Sequence, residues 1–424
     1  MLASSITQCV LVAALSPIHL SAQDVGPEPK VPAQKQHALF GSLIVSLGDV
    51  DGDQRGDCLV ADPGLGVADA QASIFVLSPA QSRVVASLKV REKSGIDGPF
   101  VCAGTRDQNG DGVNDFMLAG RDASAPRVAV VAHSGRDGAR LWRRLCDPVV
   151  KKCFAIGTIQ DLDRDGLADY ALACAVEDAG VVRTALKLHS STTGRELSAI
   201  LLPEALGAAL GALIVVPATG AEGEESLVVT AGVQETAECQ AVVCSTKTAS
   251  IRWELRGWPK AVQNHIGCAP AMDLVAGEQV LAFGVNSTIQ FLSTKDGSSK
   301  GQLVGEPHIA FGASLASIRD SKRGQVRRLA VAAPNWGVAE GRVGIYDSKE
   351  TDQPPEVILG GGDAWHFGAV IVEIQDVDGD SWSDLAIAGD HDLSWAPGLV
   401  AIVSGRTGTV LARFTRKDGE VRKS

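Results

Sequence analysis

The stretch Ile159-Gln160-Asp161-Leu162-Asp163-Arg164-Asp165-Gly166-Leu167-Ala168-Asp169-Tyr170-Ala171-Leu172-Ala173 decides how this chain folds. Carboxylates stand at loop positions one, three, five and nine (Asp161, Asp163, Asp165, Asp169), and an apolar run follows at once. Alternate hard oxygen donors in a tight loop meet the needs of Ca²⁺, which takes six to eight oxygens. Gly166 permits the positive φ that turns such a loop back on itself. Leu167, at position seven, offers a backbone carbonyl, as in the twelve-residue EF-hand loop. Here the last acid comes at nine, and strand patterns rather than helical ones flank the loop. The stretch reads as a calcium clip joining two strands.

The pattern occurs four times. Asp49, Asp51, Asp53 and Asp57 form the first copy, with Arg55 at position seven. Asp107, Asn109, Asp111 and Asp115 form the second, with Val113 at seven. The third is the stretch above. Asp376, Asp378, Asp380 and Asp384 form the last, with Trp382 at seven. Surface turns are rich in Asp and Gly, so one match is weak evidence, but four in the same strand–loop–strand setting point to four structural Ca²⁺ ions.

The 424 residues carry a net charge of −11 and 46 Gly. That balance argues against nucleic acid, because phosphate binding needs a basic surface. Residues 1–22 hold a short apolar run, Cys9 to Leu15, and end in Leu20-Ser21-Ala22, the form of a secretory signal peptide. Secretion, or delivery to the periplasm or cell surface, follows, and the plentiful Ca²⁺ outside cells suits weak sites. No later stretch reaches the roughly 18 apolar residues of a membrane span. Outside the leader the chain keeps eight Cys. Cys153 and Cys174, on the strands flanking the third loop, are placed to form a disulfide if their Cα separation permits.

Residues 23–39, with Pro27, Pro29 and Pro32, read as a linker, and residues 415–424 as a C-terminal tail. Between them, residues 40–414 read as one repeat domain. The first repeat runs from Phe40-Gly41 through a strand, the acidic loop, and three further strands. The second copies it from Phe100 and the third from Phe154. The gap between Asp161 and Asp376 holds three more repeats at roughly 54 residues each. Degenerate copies stand there: Leu213–Val216 with Ser226–Val229, Asp273–Glu278 with Gln279–Phe283, and Phe311–Leu315 with Leu329–Pro334. In the last of these, Lys322 and Arg328 replace acids, so a guanidinium is expected in the cation's place. Seven repeats of four short strands predict an all-β, seven-bladed β-propeller with four-stranded antiparallel blades. Each blade buries its faces only against its neighbours.

Phe40-Gly41, Phe311-Gly312 and Phe367-Gly368, the acidic loops, and Ala61-Asp62-Pro63 or Ala332-Ala333-Pro334 together resemble the FG-GAP repeat of integrin α-subunit propellers and related bacterial exported proteins. The resemblance spans residues 40–414, with Phe-Gly and the metal loop both lost in repeats four and five. It implies Ca²⁺ between the first and second strands of each intact repeat. It implies no single activity, since one scaffold carries many functions.

Strand alternation puts the first-to-second loops and third-to-fourth turns on one rim. The opposite rim gathers Trp336, Trp395, Trp258 and Trp365. With His391, Asp390 and Asp392 these are the candidate ligand-binding surface, as Trp is enriched at binding hot spots. The same Trp residues also suit structural cover over blade edges. Arg55-Gly56-Asp57 spells an adhesion tripeptide, but Asp57 belongs to the metal loop. His37, His308 and His366 recur just before a first strand, which favours packing. No Gly-x-Ser-x-Gly elbow, HExxH or phosphate-cradling loop occurs. The sequence thus favours a monomeric, non-catalytic binding or adhesion module for protein or glycan. A carbohydrate-active lyase or glycosidase on the same scaffold is the alternative.

Overall fold

A computed structural model describes residues 8–9, 40–63, 72–178, 180–204, 210–216, 224–231, 239–256, 267–275, 278–285, 287–306, 309–323, 325–347, 355–360, 366–389, 398–417 and 420–423. Seven antiparallel sheets follow one another in chain order, with strands in each sheet paired in sequence order. Blade 1 is Leu43–Gly48, Asp57–Asp62, Ser73–Ser78 and Arg83–Lys89. Blade 2 is Ile96–Thr105, Asp115–Asp122, Val128–His133 and Arg140–Leu145. Blade 3 is Val150–Ile159, Asp169–Asp178, Val181–His189 and Glu196–Leu201. Blade 4 is Leu210–Val216, Ser226–Ala231, Cys239–Ser245 and Ser250–Arg256. Blade 5 is Gly267–Val275, Glu278–Val285, Thr288–Ser293 and Ser299–Val304. Blade 6 is Leu315–Asp320, Gln325–Ala333, Arg342–Asp347 and Val357–Gly360. Blade 7 is Phe367–Ile374, Asp384–Gly389, Leu399–Val403 and Val410–Lys417.

The core explains why these sheets close into a ring. Side chains alternate between the two faces of a strand, so each sheet has two apolar faces to bury. Seven apolar clusters result, one in each wedge between adjacent blades, the last joining blade 7 to blade 1. In blade 2, Cys102, Phe116 and Leu118 face blade 1, while Val101, Ala103 and Met117 face blade 3. The second and third strands are buried on both sides, whereas the outermost are half exposed, as Arg140–Leu145 and Glu196–Leu201 show.

The Phe-Gly pairs are wedge fasteners. Phe40, Phe311 and Phe367 insert into the wedge with the preceding blade. Gly41 has φ +96°, and a Cβ there would stand 2.8 Å from Val400 of blade 7. Gly368 has φ +95° and would meet Val343 of blade 6 at the same distance. Glycine is required at both positions for backbone and space together.

Two expectations are corrected, and a third is not reached. Blades 2 and 3 start at Ile96 and Val150, before Phe100 and Phe154, because their exposed polar openings hide the strand pattern. Residues beyond 414 are not a tail: the outermost strand of blade 7 continues to Lys417, and Glu420–Lys423 adds a fifth strand. Residues 1–39, the expected leader and linker, lie outside the described residues except Gln8 and Cys9, which pair with Ile214 and Leu213 of blade 4.

Among the described residues, no strand from one terminus completes the sheet of the other. The seam is fastened instead by Arg416, 2% exposed, whose guanidinium donates to Asp62 at 2.6 Å and lies 4.9 Å from the Phe75 ring centre.

Candidate metal centre

The four acidic loops fold alike, by backbone bonds to their own carboxylates. Position one accepts N–H groups from the far side of the loop. Asp161 takes Arg164 and Gly166 at 2.6 and 2.9 Å, and Asp107 takes Gly110 and Gly112, both at 2.7 Å. Position five accepts the N–H of position seven in every copy, from Arg55, Val113 and Leu167 at 2.9 Å and from Trp382 at 2.8 Å. Position nine accepts the N–H of position two: Val50 to Asp57, Gln108 to Asp115, Leu162 to Asp169 and Val377 to Asp384, at 2.6–2.8 Å. The residues at position seven thus hold the loop by their N–H groups.

The second oxygen of position nine reaches the third-to-fourth turn of its own blade. Gly135, Ser191 and Gly405 donate to Asp115, Asp169 and Asp384 at 3.0–3.1 Å. These bonds put loops and turns on one rim, as strand alternation predicts. In blade 1 the equivalent residue is Pro79, which has no N–H, and no N–H reaches the buried Asp57 Oδ1.

Carboxylate oxygens converge within 4.8 Å in three loops: Asp49, Asp51 and Asp53; Asp161, Asp163 and Asp169; Asp376, Asp378 and Asp384. In blade 2 the neutral Asn109 interrupts the series and donates to Asp111 at 3.0 Å. Like charges about 4 Å apart cost on the order of 1–4 kcal/mol per pair near a protein surface. Burial, with neighbouring carboxylates adding to it, pushes Asp57 and Asp384 up to about 7 and Asp115 and Asp169 up to about 6. Asp163 Oδ1 is buried and accepts no hydrogen bond. All-oxygen donors, converging charge and an orphaned oxygen fit a hard divalent cation of the Ca²⁺ type.

The degenerate blades differ. In blade 5 the expected loop Asp273–Glu278 is mostly strand, and only positions 276 and 277 separate Val275 from Glu278. In blade 6 a guanidinium does meet the loop acid, but it is that of Arg323, 3.5 Å from Asp320. Arg328, expected there, points to the neighbouring blade instead: it lies over the Trp382 ring at 5.1 Å and pairs with Glu356 at 2.6 Å. Its long side chain follows the outward face of its strand, where blade 7 supplies an aromatic surface.

Among the other candidates, Trp336 begins a short helix, Trp336–Ala339, and packs against the wedge of blades 5 and 6. The Arg342 guanidinium stands 5.1 Å from its ring centre. Trp395, His391, Asp392, Asp390, Trp258 and Trp365 lie outside the described residues, as do His37 and His308. His366 takes φ +48° beside Phe367. Asp57 of the Arg-Gly-Asp triplet is fully buried. Cys153 and Cys174 are directly opposed on neighbouring strands, but no disulfide joins them. Among the described residues, no helix is long and apolar enough to cross a membrane.

Sequence reasoning missed the contacts that tie the loops of blades 1, 2, 4 and 7 to the blade before each. The residue ahead of position nine makes them. Gly56 N–H donates to Asp376 O of blade 7 at 2.9 Å, and Asn114 Nδ2 to Leu47 O of blade 1 at 2.7 Å. Ser383 Oγ accepts the Arg319 N–H of blade 6 at 2.8 Å. Glu225 fills this place in blade 4 and accepts the Gln160 N–H of blade 3 at 3.0 Å. A small or polar residue there was the only available signal.

No protein-family model matches the sequence. No curated protein sequence matches it either. Among solved structures, the chain is similar to BBS1N in complex with ARL6DN, in crystals soaked with lead or with mercury. The first aligns at TM-score 0.52 and 9% identity over 90% of this chain and 92% of that one. The second aligns at 0.53 and 11% over 85% and 90%. The Dos1 propeller aligns at 0.46 and 12% identity over 87% and 88%. The chain is a seven-bladed β-propeller. At these identities the likeness speaks to fold alone.

Proposed function

We propose that this chain is an exported propeller of the FG-GAP type, stabilised by Ca²⁺ in its acidic loops, that works as a monomeric, non-catalytic binding module for protein or glycan. The observation that carries this reading is the convergence of three carboxylate sets within 4.8 Å on one rim. With the charged loops committed to cations, the opposite rim is the surface left for a partner, and Trp336 stands on it. Trp395, His391 and Asp392 are assigned to that surface from the sequence. BBS1N, a propeller of similar fold, is described in complex with a protein, ARL6DN, which supports recognition of a macromolecule as a use of such a ring.

The test is a glycan and protein array probed with the labelled full chain in Ca²⁺ and in EDTA. Binding in Ca²⁺ that weakens at least tenfold in Trp336→Ala or Trp395→Ala is expected. Binding that survives both substitutions sinks the rim assignment, and an unchanged melting temperature in EDTA sinks the calcium assignment.

A further inference from the structure

Cys153 and Cys174 face each other across the first two strands of blade 3 as directly opposed ladder partners. Opposed residues in antiparallel strands have Cα atoms about 4.5–5.5 Å apart, within the roughly 4.4–6.8 Å that a disulfide spans. Among the described residues no other two cysteines oppose one another. Cys58 faces Ser46 and Leu77, Cys102 faces Leu118, and Cys244 faces Leu227 and Ile251. The two differ in access. Cys174 is fully buried in the wedge between blades 2 and 3. Cys153 is only partly buried at the edge of that wedge, and its Sγ donates to Ala155 O at 3.4 Å. The hairpin they span carries the third acidic loop, Asp161 to Asp169.

We propose that Cys153 and Cys174 are a redox pair that closes into a cross-strand disulfide when the folded chain meets a disulfide-bearing oxidant of the glutathione disulfide type. The accessible Cys153 reacts first: its thiolate attacks one oxidant sulfur, the oxidant's S–S bond breaks, and one thiol leaves. Cys174 then loses its proton and attacks Cys153 Sγ in the mixed disulfide, releasing the second thiol. Two electrons and two protons pass from the pair to the oxidant, which ends as two thiols. Burial keeps Cys174 from reacting alone, so it serves as the resolving sulfur. The bond pins together the strands on either side of the acidic loop, so the oxidised chain presents a loop whose ends are already fixed when a cation arrives. The chemistry rests on register and access alone; the export reading supplies only the compartment in which it matters.

The experiment incubates the folded full chain with glutathione disulfide, in EDTA and separately in Ca²⁺. Remaining thiols are alkylated under denaturing conditions before digestion and mass spectrometry. The expected result in both arms is a peptide joining Cys153 to Cys174, two hydrogens lighter than its parts, with Cys58, Cys146 and Cys244 alkylated. Cys153→Ser abolishes the cross-link, and Cys174→Ser leaves glutathione attached at Cys153. Full alkylation of both sulfurs in the oxidant-treated wild type, or a link from Cys174 to Cys146, overturns the proposal. The EDTA arm scores the disulfide without reference to any cation, so failure of the calcium reading leaves this result intact.

Discussion

Blades 7, 1, 2 and 3 form one continuous arc of the ring, and blades 4, 5 and 6 form the other. The first arc joins its inner strands by long acidic loops at 375–383, 49–56, 106–114 and 160–168. In the second, nine positions, 217–225, separate the strands of blade 4, where Glu224 pairs with Arg252, while blade 5 uses two residues and blade 6 four, with Asp320 met by Arg323. Both solutions satisfy the same geometric demand, a reversal between antiparallel strands. They differ in where the counter-charge comes from: the second arc needs none or supplies its own, whereas the four acidic loops concentrate carboxylates, for which a cation from solution is the proposed partner.

The comparison can be broken most severely at the seam inside the acidic arc. Asp62→Ala strands the Arg416 charge in the wedge of blades 7 and 1, and a loss of about 3–5 kcal/mol is expected by urea denaturation. The double variant Asp62→Leu with Arg416→Met recovers most of it, because no unpaired charge remains. A smaller effect follows from the ion. At about a hundred times Kd, each occupied site adds roughly 2.7 kcal/mol. Calcium is therefore expected to raise the melting temperature, with part of the rise lost in Asp169→Asn or Asp384→Asn and none in Asp320→Asn. An equal loss in Asp320→Asn would erase the distinction between the arcs.

The acidity of the loops sharpens the contrast further. Asp57, Asp115, Asp169 and Asp384 titrate at about 6 to 7 in the folded chain, held up mainly by burial and then by neighbouring acids. Unfolded Asp titrates near 3.9. Between those values the folded chain binds more protons than the unfolded one, so stability in EDTA falls as pH rises from about 4 to about 7. Urea midpoints at pH 5 and pH 7.5 check this, and Ca²⁺ is expected to flatten or reverse the slope. The smallest effect is at the turn of blade 1. Pro79→Ala restores the N–H that Gly135, Ser191 and Gly405 supply elsewhere, and a gain of about 0.5–1 kcal/mol in EDTA is expected, less the flexibility that the lost proline returns to the unfolded chain.

Much of this was legible in local pattern. Carboxylate spacing located the loops, and the interval between Asp161 and Asp376 located three blades that lack it. Phe-Gly marked the wedges because a positive φ and a close neighbour both demand glycine. What escaped were choices made between blades. Nothing near Arg328 says that its guanidinium will lie over Trp382, and nothing near Glu225 says that it will accept from Gln160. Arg416 and Asp62 are separated by 354 positions, and no periodicity links them. The exposed residues just after the buried Ile96 and Val150 concealed where two strands begin, since period-two alternation lapses there.

The seam also bears on synthesis. The face of blade 1 that holds Phe40, Ile44, Phe75 and Leu77 has its mate in blade 7, so it stays bare until the ribosome has made residue 416 and those just after it. A nascent chain of this kind is an open crescent with an oily leading edge for nearly all of its translation. Contacts so distant in sequence form slowly, and exposed apolar surface invites aggregation in the interval. Chaperone demand should therefore centre on the first blade made, even though it belongs to the arc best furnished with charge.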